Sequence, residues 1–126
     1  MTTMVCFTTG GTPYCIPVGV TRAVRDVKGM VGLPASLPDV AGIVPGDPPL
    51  TVISPLGNGG GNILVVESNG KIFGLLVDAV TGLRRIDEGD IKLAPHGQGR
   101  SLISGTVDTD GTLTLVTDPH GLASQL

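Results

Sequence analysis

Apolar residues recur along this chain in short runs of valine, isoleucine and leucine, each closed by glycine, proline, asparagine or aspartate. That rhythm predicts many short strands joined by tight turns rather than helices. Residues 5–9 and 12–18 flank Thr9-Gly10-Gly11-Thr12 and read as a hairpin on a two-residue turn. In that register Phe7 pairs with Tyr14 on one face, with Val5 and Ile16 beside them. Pro13 and Pro17 give the second strand either an open edge or an early end. The clearest hairpin joins residues 62–67 to 71–77 through Asn69-Gly70, a type I′ turn signal. It sets Val66 against Phe73, Leu64 against Leu75 and Ile63 against Leu76. Both faces are apolar, so this ribbon is expected to be central and covered on both sides. A last hairpin joins 102–108 to 112–117 through Asp110-Gly111, and Asp118-Pro119 then opens a short helix. Residues 20–27 suggest a short strand with Val24 and Val27 as its buried positions. Leu83-Arg84-Arg85-Ile86 suggests another, with its arginines exposed, before the acidic turn Asp87-Glu88-Gly89-Asp90.

The stretch from Leu33 to Leu56 breaks this rhythm, because it holds Pro34, Pro38, Pro45, Pro48, Pro49 and Pro55. Each proline removes a backbone donor and fixes its own φ, so the stretch forms neither one helix nor one strand. Ser36-Leu37-Pro38-Asp39 carries the marks of a single helical turn that Gly42 would end. Ile43-Val44 then starts a strand, residues 45–49 turn, and residues 50–54 form the next strand. The stretch is a shaped connector whose surface is a candidate for function.

Composition narrows the class. With 126 residues, 40% of them hydrophobic and 15% charged, the chain suffices for one folded domain over residues 1–126 and is unlike a disordered one. Phe7, Tyr14 and Phe73 are its only aromatics, so the core must be aliphatic. A net charge of −3, without a basic patch or a row of aromatics, argues against nucleic acid. No apolar run approaches a membrane-spanning length, and the N-terminus lacks the basic start and apolar core of a signal peptide. A cytoplasmic chain is the expectation.

Candidate chemistry is sparse. Cys6 falls opposite Cys15 in the first hairpin, which leaves two readings open, a disulfide or two small apolar fillers kept reduced. Gly57-Asn58-Gly59-Gly60-Gly61 could be taken for a phosphate cradle, but the strand after it offers no helix N-terminus, and a flexible loop fits better. Asp78 at a strand exit is either an acid catalyst or an acceptor for loop amides, and the second role is far commoner. His96 and His120 sit in Pro-His-Gly settings without a local metal-ligand spacing, so neither a metal nor another cofactor is implied. No nucleophile elbow is present, and enzymatic activity has little support.

The ordered set of pieces resembles the CheW-like chemotaxis adaptor family, which includes the regulatory domain of the kinase CheA. Tyr14-Cys15-Ile16-Pro17-Val18 is similar to its Tyr-x-Ile-Pro-Val. The segment from Leu33 to Val44 is similar to its Pro-x-x-Pro-x-x-Val-x-Gly-hydrophobic segment. Phe73-Gly74-Leu75-Leu76-Val77-Asp78-Ala79-Val80 and the closing hairpin match in order. The resemblance implies an all-β fold of two packed five-stranded Src homology 3-like barrels with one or two short helices. It implies a non-enzymatic adaptor between chemoreceptor tips and a CheA-type histidine kinase, and it marks Arg22, Val24, Gly42, Ile43 and Asp47 as partner-binding positions.

The chain departs from the family in that region. Pro45-Gly46-Asp47-Pro48 stands where the family usually shows Asn-x-Arg-Gly, so an aspartate replaces an arginine. Ala23 follows Arg22 where a glutamate is usual, and only Leu56 survives of a Pro-x-x-Asp-Leu segment. Those changes leave open a diverged module that meets a different partner or a second copy of itself.

Overall fold

The structure, a computed structural model, describes residues 1–32, 40–57, 59–93 and 102–126. The expected helical turn at Ser36 to Asp39 and His96 lie outside the described residues. Among the described residues twelve strands are formed: β1 (Thr2–Thr9), β2 (Thr12–Pro17), β3 (Thr21–Asp26), β4 (Val31–Gly32), β5 (Val40–Val44), β6 (Leu50–Ile53), β7 (Asn62–Ser68), β8 (Lys71–Val77), β9 (Ala79–Ile86), β10 (Lys92–Leu93), β11 (Ile103–Thr109) and β12 (Thr112–Thr117). The helix α1 (Pro119–Ala123) follows, and 3₁₀ turns lie at Val18–Val20 and Glu88–Asp90.

The strands form two sheets of six, in the orders β10-β11-β12-β2-β1-β9 and β4-β5-β6-β8-β7-β3. The first therefore joins the N-terminal hairpin to the C-terminal third of the chain, and the second is built from its middle. The two orders repeat one plan. A two-residue strand (β10, β4) pairs with the first strand of a hairpin (β11-β12, β5-β6). That hairpin joins a second one (β2-β1, β8-β7) through a short parallel contact, and a longer edge strand (β9, β3) completes the sheet.

This corrects the expected pair of closed five-stranded barrels. Each sheet has six strands, and its ladder stops at both ends among the described residues, so neither closes. Each ladder to a long edge strand is broken by a register shift, at Cys6/Phe7 against β9 and at Thr21/Ala23 on β3. Such bulges bend and twist a strand without adding a partner. The first sheet curls until its ends are near, and side chains rather than a ladder bridge the gap: Arg84 on β9 reaches Asp110 beyond β11 at 2.9 Å.

Hairpin chemistry behaves as the residues require. Asn69 and Gly70 take φ of 55° and 72°, Asp110 and Gly111 take 54° and 84°, and the register of the central ribbon is the one its turn dictates. Phe7 stacks on Tyr14 with ring centroids 5.5 Å apart. Pro13 and Pro17 bracket the short parallel contact of β2 with β12, which runs over Tyr14 and Cys15, and neither proline can donate to that ladder. The Asp118 carboxylate accepts from the His120 amide and caps α1.

The main core lies between the sheets. Val5, Phe7, Tyr14 and Ile16 of the first meet Ile53, Leu64, Val66, Phe73, Leu75 and Val77 of the second, with Leu122 and Ala123 of α1 laid over them. Two smaller cores fill the other faces. One is built on Met4, Cys15, Ile86, Val107 and Val116, the other on Val44, Val52, Ile63 and Val65. The central ribbon is thus apolar on both faces because each face has its own core.

Candidate interaction site

Val24 is the first surprise of the site. Its register partner is Leu64, so its side chain points to the face that packs on the first sheet, as the apolar pattern requires. It is nonetheless 51% exposed, not buried as expected, because β3 is an edge strand lying beyond the overlap of the two sheets. Leu83 on β9 stands in the same relation to Val5 and is 67% exposed. Between these two edges the inter-sheet core runs out into solvent as a groove of about 260 Å³. Val5 and Leu64 form its floor, and Val18, Val24, Val80 and Leu83 its sides.

Arg22 also lines the groove. Its Nε donates to Glu67 Oε1 at 2.9 Å, and its Nη1 donates to the carbonyls of Gly19 at 3.0 Å and Thr21 at 3.1 Å. The guanidinium is thus held in place while both members of the ion pair stay partly exposed. The arrangement suits an apolar side-chain ridge with a polar or acidic group at one end.

The other expected residues lie elsewhere. Gly42 is in β5, not at the end of a helical turn, and it is buried. A Cβ there would meet the Val31 carbonyl oxygen at 2.4 Å, so the position admits the close approach of β4 and presents no side chain. Ile43 beside it is half-buried and pairs with Val31 and Thr51. Asp47 is exposed in the turn between β5 and β6, next to a cis bond to Pro48. The structure therefore brings Ile43 and Asp47 onto one hairpin and Arg22 and Val24 onto one strand, with β7, β8 and β6 between them. Sequence reasoning missed Val18, Val80 and Leu83. Only the long-range pairing of β9 with β1 turns Leu83 toward the groove, and no local pattern carries that.

Groups weighed for chemistry have structural roles. Asp78 accepts the Gly10 amide at 2.8 Å and the Gly60 amide at 3.0 Å, so one carboxylate ties the first hairpin turn to the glycine loop. His120 is exposed on α1. Cys6 and Cys15 are free thiols paired across β1 and β2. Burial pushes both upward in pKa, Cys15 to about 12, with the neighbouring Cys6 adding to the rise. Among the described residues no group of three or more His, Cys, Asp or Glu could hold a metal ion, and no helix is long and apolar enough to cross a membrane.

Comparison with known proteins fits this geometry. The family model described as the CheW-like domain matches residues 48–126. Among solved structures the chain is similar to the scaffolding protein TtCheW from Thermoanaerobacter tengcongensis. The TM-score is 0.79 at 22% identity, over 93% of this chain and 88% of that one, which is a likeness of fold. No curated protein matches.

Proposed function

The chain belongs to the CheW-like domain family, and from that membership we propose that it is a non-enzymatic scaffold of chemotaxis signalling, joining a CheA-type histidine kinase to chemoreceptor tips. The observation that carries this reading is the open apolar groove between β3 and β9. A scaffold must expose apolar surface where a partner will cover it, and contiguous exposed apolar side chains in an otherwise well-covered domain mark such a place. Val18, Val24 and Leu83 are all exposed large apolar side chains and share this one groove. The scaffolding role of the similar TtCheW supports the same reading. Arg22 and Val24 act at the groove, Ile43 and Asp47 at the β5-β6 hairpin, and Gly42 acts through the backbone that presents Ile43.

Pull-down with the CheA regulatory domain and the receptor tip of the same source tests the proposal. Val24→Glu and Leu83→Glu are expected to abolish capture of one of them. Leu113→Glu, at an equally exposed leucine away from the groove, should not. A parent protein that captures neither refutes the assignment. That result would favour a second reading, motivated by Asp47 in an exposed turn where the family usually has an arginine: a CheW-like module that meets a different partner or a second copy of itself. Reversed charge at a rim discriminates strongly between partners.

A further inference from the structure

Cys6 and Cys15 are direct register partners across the antiparallel pair β1-β2. Their backbones show which kind of pair this is. The Cys6 carbonyl accepts the Thr81 hydroxyl from β9 at 3.2 Å, and the Cys15 carbonyl accepts the Thr117 hydroxyl from β12 at 2.9 Å. Both carbonyls thus turn away from the partner strand, the mark of a non-hydrogen-bonded pair. Such pairs hold their Cα atoms about 4.5 Å apart, at the near end of the range a disulfide spans. Both side chains face the same small core beside Met4. Cys15 is wholly buried, whereas Cys6 is partly exposed on a cavity of about 320 Å³ that Thr8, Thr81, Arg84, Asp110 and Thr114 also line.

We propose that this pair is a thiol modification site at which a small disulfide such as oxidised glutathione installs an intrachain Cys6–Cys15 bond. The order of steps follows from access. The Cys6 thiolate attacks one sulfur of the reagent, the reagent's S–S bond breaks, and the first small thiol leaves with the electron pair and takes up a proton. Cys15, deprotonated, then attacks the Cys6 sulfur of the mixed disulfide and displaces the second small thiol. Two protein thiols are oxidised to one disulfide, and one small disulfide is reduced to two thiols. Burial opposes the thiolate of Cys6, the Arg84 guanidinium from β9 favours it, and Asp110 beyond β11 pairs with that same arginine. The exchange is therefore slow but directed to Cys6 first. The bond would tie β1 to β2 one residue from Val5, on the floor of the groove.

The test uses the folded full chain, incubated with oxidised glutathione, alkylated, and analysed by intact mass and peptide mapping. The expected product is a monomer lighter by two hydrogen atoms, with Cys6 and Cys15 in one linked peptide and both thiols lost together. Cys15→Ala is expected to accumulate one glutathione on Cys6, and Cys6→Ala to stay unmodified while folded. A stable glutathione adduct on the parent, a disulfide between two chains, or two thiols that survive until the chain unfolds would overturn the proposal.

Discussion

Replacing Gly42 with alanine separates packing from partner contact at a position the family resemblance marks as functional. The new Cβ would lie 2.4 Å from the Val31 carbonyl oxygen and 3.0 Å from Met30 Cγ, where ordinary contact begins near 3.4 Å. β4 must therefore retreat by about 1 Å. It is a two-residue edge strand, exposed at both positions, and among the described residues it pairs only with β5 at Ile43 and Gly42. It can give way, so the cost is bounded by the short ladder and the Met30 packing that it loses. At about 1 kcal/mol for each backbone hydrogen bond, the loss is about 1–3 kcal/mol. For a chain of this length that lowers Tm by about 4–12 °C. The control is Gly32→Ala on β4 itself, where a Cβ meets nothing within 4 Å and φ is not positive; it is expected to leave stability within about 1 kcal/mol of the parent. Urea unfolding followed by far-UV circular dichroism measures both. A Gly42→Ala protein as stable as its parent that nonetheless fails in the pull-down would refute the packing argument and make Gly42 a contact position.

Leu75→Ala, at a wholly buried side chain of the central ribbon, is expected to cost about 2–5 kcal/mol in the same unfolding measurement, and an unchanged midpoint would count against the inter-sheet core. Asp78→Ala leaves the Gly10 and Gly60 amides without their acceptor and should cost about 1–3 kcal/mol, visible as a lower Tm and faster amide exchange at both loops. Asp47→Arg, in an exposed turn, is expected to change stability by less than about 0.5 kcal/mol while altering capture of a CheA-type domain; a large loss of Tm would contradict its exposure. The raised pKa of Cys15 makes the folded state hold a proton that the unfolded state releases above pH 9, so stability falls as pH rises from about 9 to about 12. Cys15→Ala should flatten that decline in alkaline unfolding curves.

Three hairpins were legible in the sequence because each combines a two-residue turn signal with apolar runs of matching length on both sides. Their registers follow from the turns alone, and so do the Phe7–Tyr14 stack and the capped start of α1. What was not legible is non-local. β4 and β10 have two residues each and no period to read. β9 begins at Ala79, before the Leu83 where the pattern places its start, because its pairing with β1 rather than its own composition holds it extended. The barrel expectation failed for a related reason. Alternation shows which face of a strand is covered, but whether two distant edges share a ladder depends on the bulges at Cys6 and Thr21. The site was legible in part: Val24 was placed on the correct face, yet its burial depends on where the opposite sheet ends.

The groove follows from the repeated plan of the two sheets. Its floor residues, Val5 and Leu64, occupy the matching strands β1 and β7, and its exposed walls, Leu83 and Val24, are their register partners on the matching edges β9 and β3. Each sheet thus contributes the same pair of positions, and the apolar bed alone does not tell an occupant which way to lie. Arg22 breaks the equivalence, because it lines the groove, whereas on the corresponding edge β9 the groove lining carries Gly82 and the anchored cation Arg84 lines a separate cavity. If the bed supplies affinity and Arg22 supplies direction, Val24→Glu and Leu83→Glu should weaken a bound partner by similar factors, each about tenfold or more. Arg22→Ala breaks an exposed ion pair worth about 0–1 kcal/mol to stability, so it should leave Tm nearly unchanged. Its effect on binding should appear as a smaller loss of affinity that high salt erases. Titration of the three variants against the captured partner at two salt concentrations decides the matter. An Arg22→Ala loss that persists at high salt would mean that its stem, not its charge, holds the occupant. A tenfold disparity between Val24→Glu and Leu83→Glu would mean that the partner reads one sheet rather than the bed between them.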